Sequence, residues 1–110
     1  MKKSLFYLLF LSTTIVIAQN YGSLNGRILD VQTQQPLVGA TILLEGTPYG
    51  AVTDEMGYFI INGIPSNSYN IFASYLGFET QILSNVIVKS VGNIPLMFEL
   101  ETASDSLDEV

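Results

Sequence analysis

Histidine, cysteine and tryptophan are missing from this 110-residue chain, and bases are scarce, four against ten acids. Each absence excludes a class of chemistry. Without histidine or cysteine there is no Ser-His-Asp triad, no cysteine nucleophile, no usual zinc site and no disulfide staple. Catalysis would have to rest on carboxylates, tyrosines or the few bases. Asp54 and Glu55 are adjacent in the sequence, and neighbours in an extended chain point to opposite faces, so they do not form a working pair. The residues point to a protein that is no enzyme and takes no cofactor or metal.

The charge that is present has an uneven distribution. Beyond residue 18 only Arg27 and Lys89 are basic, against ten acids, a net charge of −8. Such a balance repels phosphate backbones and anionic membrane surfaces, which excludes nucleic acid as a partner. The other two bases, Lys2 and Lys3, precede an apolar run, Leu5 to Leu11 and Ile15 to Ile17, that ends at Ala18. A basic start, a short apolar stretch and a small residue are the pattern of a secretory signal peptide. Ser12, Thr13 and Thr14 interrupt the run, and it falls short of the roughly 20 residues that span a bilayer. Residues 1–18 are therefore read as a signal peptide cleaved between Ala18 and Gln19, which gives an exported product. With no cysteine near that point, a lipoprotein anchor is excluded.

After residue 20 helical periodicity gives way to short alternating runs, punctuated by Gly, Pro, Asn and Asp. "SLNGRILDV" sets Leu24, Gly26 and Ile28 on one face, and "VGATILLE" turns Val38, Ala40, Ile42 and Leu44 inward. "GTPYG" closes a hairpin before a brief "AVT", and "DEMG" forms a turn in which Asp54 bonds the backbone ahead and Gly57 takes a positive φ. "YFII" resumes with Phe59 and Ile61 inward, and "NGIPSNS" reads as a break. "YNIFASY" sets Tyr69, Ile71, Ala73 and Tyr75 on one face, "ETQILSNVIV" follows, and "NIPLMFEL" faces Ile94, Leu96, Phe98 and Leu100 inward. Gly26, Gly39, Gly46, Gly50, Gly57, Gly63 and Gly77 are expected where a side chain would obstruct. About seven short strands at close spacing predict an all-β, seven-stranded antiparallel Greek-key sandwich over residues 19–100. Residues 101–110, "ETASDSLDEV", carry four acids and read as a mobile acidic linker without contact to the sandwich.

Two local patterns invite a ligand. "TDEMGYF" resembles a calcium loop, but calcium takes six to eight oxygens and two adjacent carboxylates supply too few; the turn explains them. The six tyrosines suggest a sugar platform, yet Tyr58, Tyr69 and Tyr75 fit strands with one wet end. Tyr49, expected to be exposed, is kept as a surface contact.

"GRILD", "QQPLVGATILLEGTPYGAVTDEMGYFIING" and "SYLGFE" together resemble the carboxypeptidase-regulatory-like domain, a transthyretin-like (prealbumin-like) sandwich, across residues 22–100. That resemblance implies one of two settings. In metallocarboxypeptidases the domain stands behind a catalytic domain, a place that does not call for its own signal peptide. In SusC-type TonB-dependent outer-membrane receptors of Bacteroidota it is a periplasmic N-terminal extension. There it follows a signal peptide and precedes a TonB box, a plug and a barrel. The final Leu107, Asp108, Glu109 and Val110 resemble the first half of a TonB box, whose implied role is to pair as a strand with the energy-transducing partner. The implied function is a non-catalytic part in energised uptake of glycan or peptide, with the chain a fragment of the receptor. Its implied partners are a TonB-type protein and the receptor's own plug and barrel. The alternative is a stand-alone secreted cell-envelope domain of this fold that binds carbohydrate.

Overall fold

Period-two alternation becomes seven strands in this computed structural model, which describes residues 20–103. They are β1 (Tyr21–Asp30), β2 (Thr41–Leu44), β3 (Gly50–Val52), β4 (Tyr58–Pro65), β5 (Asn67–Ser74), β6 (Gln81–Val88) and β7 (Leu96–Leu100). They form two sheets, one ordered β4-β1-β7 and the other β3-β2-β5-β6. This is the expected seven-stranded sandwich, with one departure. β7 pairs with β1 in parallel, Gly26 opposite Leu96 through Asp30 opposite Leu100, and every other strand pair is antiparallel. First and last strands meet side by side only after the chain has crossed between sheets, and the direction of that return fixes their sense.

The inner faces of the sheets enclose the core. Leu24, Ile28, Ile42, Leu44, Ile64, Ile71, Phe98 and Leu100 are buried there with Phe59 and Ile61. Burying each large apolar side chain contributes about 1.5–3 kcal/mol, the main favourable term for a chain without disulfides. Two residues assigned inward by alternation are not. Val38 and Ile94 are 47% and 77% exposed; both precede their strands, and alternation governs facing only where the backbone is extended. Leu37 takes the buried place beside Ala40 instead. "NGIPSNS" is not a break either. β4 continues through Asn62 and Gly63 to Pro65, Gly63 has a φ of 69°, and Ile64 is fully buried. Only Ser66 separates β4 from β5.

Of the seven glycines expected to avoid obstruction, Gly26, Gly50 and Gly57 meet neighbouring backbone or ring atoms, whereas Gly39, Gly46, Gly63 and Gly77 face open space. The turn at 54–57 forms as expected. Asp54 Oδ1 accepts from the amides of Met56 and Tyr58, each at 2.9 Å, and Gly57 has a φ of 81°.

Thr53 is a buried polar side chain with both hydrogen-bonding capacities used. Its hydroxyl donates to the Leu37 carbonyl at 2.6 Å and accepts from the Ala40 amide at 2.8 Å, tying the 37–40 loop to the end of β3. Thr53→Val keeps the volume but strands both backbone groups, so a loss of about 1–3 kcal/mol is expected. Urea denaturation measures it; an unchanged midpoint would mean that water replaces the hydroxyl. Tyr69 also reaches the backbone, donating to Pro65 carbonyl at 2.6 Å, and burial, with a smaller contribution from Tyr49, raises its phenol pKa above the ordinary value.

The chain past β7 is not the contact-free linker that its composition suggests, because residues 101–103 attach to the connection between β5 and β6. Phe78 and Thr102 form an antiparallel bridge, Glu79 amide donates to Glu101 carbonyl at 2.8 Å, and Ala103 amide donates to Gly77 carbonyl at 2.9 Å. The sandwich therefore extends to at least Ala103. Backbone pairing is independent of side-chain polarity, which is why the acidic composition concealed it.

Candidate functional site

The residues singled out by sequence fall in different places. Ala18, Gln19, Leu107, Asp108, Glu109 and Val110 lie outside the described residues. Tyr49 is half-buried and packs against the core rather than standing exposed. Tyr58 is the more accessible tyrosine, half exposed on the outer face of the three-stranded sheet. Among the described residues no group of three or more acids, histidines or cysteines is placed to hold a metal ion.

Strand register builds a groove of about 660 Å³ around Tyr58. Its floor is one row across three strands, with Gly26 of β1 opposite both Phe59 of β4 and Leu96 of β7. Side chains of that row point into the core, so the groove meets mainly its backbone. Residues before and after the row point outward and form the walls. One wall is Tyr58, Arg27 and Met97, paired in register, and the other is Ile60, Asn25 and Pro95. Two residues along a strand span about 6.6 Å, which sets the separation of the walls. Val52 and Asp54 close the β4 end. The result is an open channel crossing the strands.

Its surface is mostly apolar, with Ile60 59%, Met97 55% and Val52 63% exposed. Such side chains on an outer sheet face depart from the polar-out rule for a one-sided sheet. Arg27 is the channel's cation and is held rigidly. Its Nε donates to Met56 carbonyl at 2.8 Å, and its guanidinium carbon lies 4.8 Å from the Tyr58 ring centroid. Those are its partners among the described residues, so both terminal amino groups retain free donors. Asp54 uses Oδ1 in the turn and leaves Oδ2 free. The sequence carried a weak signal for this site, since Arg27 and Asn25 alternate with Gly26 just as Tyr58 and Ile60 alternate with Phe59. Only the register shows that the two runs adjoin.

The CarboxypepD_reg-like domain model matches residues 24–110. The chain belongs to that family. It is 33% identical over 103 residues to TonB-dependent receptor P39 of Formosa agariphila, a match covering 94% of this chain and 9% of the receptor. The chain thus spans less than a tenth of that relative. Among solved structures, chains of two type II cohesin–X–dockerin complexes from Acetivibrio cellulolyticus share the fold. One superposes with a TM-score of 0.62 at 24% identity, covering 74% of this chain and 58% of the other. The second gives 0.63 at 22%, covering 72% and 56%. At such identities the likeness concerns the sandwich fold alone.

Proposed function

We propose that this CarboxypepD_reg-like domain is the periplasmic N-terminal extension of a TonB-dependent outer-membrane receptor, a non-catalytic interaction module in energised uptake of glycan or peptide. The observation that carries this reading is the 33% identity to such a receptor over 94% of the chain. A match of that extent leaves only about seven of the 110 residues outside it, so it takes in part of the apolar leader as well as the sandwich. An aligned leader favours a position at the receptor's start. On this reading residues 1–18 are removed on export, and Leu107–Val110 begin the strand that an energy-transducing partner takes up. The absence of histidine and cysteine agrees with a role without catalysis.

The test is to follow the native polypeptide with an antibody against the sandwich. The expected result is an outer-membrane band roughly ten times the length of this chain, by analogy with the relative, whose N-terminal sequence starts at or within about two residues of Gln19. A small soluble secreted band overturns the receptor reading and favours the stand-alone domain. Retention of Met1 to Ala18 in exported material overturns the cleavage site.

A further inference from the structure

We propose that the channel on the outer face of the β4-β1-β7 sheet is a peptide-binding site that takes an extended segment bearing a carboxylate beside an aliphatic side chain. This goes beyond the receptor reading and does not depend on it.

The first argument is the unused charge of Arg27. Acids outnumber bases ten to four in this chain, yet no described carboxylate claims its terminal amino groups. Its hydrogen bond to Met56 and its stacking on Tyr58 fix the guanidinium before any ligand arrives, so little side-chain entropy is lost on binding. A planar fork with free donors matches a carboxylate. The second argument is the order of chemistry along the channel. Asp54 lies in the turn before β4, Arg27 in the middle on β1, and Met97 on β7 with Pro95 just before that strand. A carboxylate over β1 places the aliphatic side chain over Met97, one strand spacing of about 4.8 Å away, and Asp54 repels a second acid at the far end. The third argument is the floor. The row of Gly26, Phe59 and Leu96 faces the core, so only backbone lies between the walls and an extended segment can approach closely.

The chain itself contains a segment of this chemistry, Ser104–Val110. The segment serves as a probe supplied in trans. The amidated peptide of residues 104–110 is titrated into the 15N-labelled protein and amide shifts are followed. A second peptide replaces Asp105, Asp108 and Glu109 by Asn, Asn and Gln.

The acidic peptide is expected to shift the amides of Gly26, Phe59 and Leu96 saturably. The neutral peptide, Arg27→Gln, and salt raised to about 0.5 M should each weaken binding roughly tenfold. Arg27→Lys keeps the charge but loses the fork and should fall between. Asp54→Asn retains the turn acceptor at Oδ1 and should strengthen binding about twofold by removing the repulsion. Thermal melting confirms that each variant is folded. Equal affinity for the neutral peptide, or unchanged binding by Arg27→Gln, overturns the proposal. So does the absence of saturable shifts up to about 5 mM peptide, or occupation of the same amides by maltohexaose instead.

Discussion

Replacing Phe98 by alanine is expected to lower the stability of the domain by about 3–5 kcal/mol. Phe98 is fully buried on β7 and lies opposite Ile28 in the parallel pair, its ring 6.2 Å from that of Phe59. Truncation removes apolar contact from both sheets and leaves a cavity that short, twisted strands close only in part. Small domains have total stabilities of about 5–15 kcal/mol, so such a loss would bring this one near unfolding. Urea denaturation of the purified variant measures the change. A loss below about 1 kcal/mol would show that the core does not depend on the ring and would move its centre away from β7.

Gly26→Ala is expected to be nearly as damaging for a different reason. A Cβ at position 26 would fall on the Leu96 carbonyl oxygen and 2.8 Å from the Phe59 ring. A carbonyl oxygen within a strand does not rotate away, so β1 and β7 must separate or slip. Overpacking of this kind costs about 1–3 kcal/mol, and a rigid backbone obstacle places it at the upper end or beyond. Gly46→Ala is the matched control. Gly46 has a φ of 76° and open space around it, so alanine there meets only the conformational penalty of about 1–2 kcal/mol. Thermal denaturation of both variants gives the comparison. Equal losses would mean that the strands yield without resistance, contrary to the geometry.

The sequence made the sandwich legible because its strongest signals are local. Alternation of Ile42 with Leu44 and of Phe59 with Ile61 identifies buried faces, and the Asp54–Gly57 turn follows from side-chain chemistry within four residues. What was hidden is non-local. Nothing in "NIPLMFEL" says that β7 lies parallel to β1, and nothing in "ETA" says that its amides and carbonyls pair with Gly77 and Glu79. The channel was hidden for the same reason, since its floor joins residues 26, 59 and 96 through hydrogen-bonded register. Tyr49 shows the opposite limit: a tyrosine in a Gly- and Pro-containing loop suggested exposure, and the loop folds its ring back against the core.

The parallel pairing of β1 with β7 also determines how the domain responds to tension. β1 begins at Tyr21, and the pair ends where Asp30 meets Leu100, so the start of β1 and the end of β7 are about 30 Å apart along one axis. A pull on both ends slides β1 and β7 past one another rather than peeling them apart. All five register pairs, Gly26–Leu96 to Asp30–Leu100, then carry the load together, and none fails before its neighbours share the strain. Two antiparallel end strands leaving from the same pole would open one pair at a time. This sandwich is therefore a stiff strut between whatever is joined at its two poles.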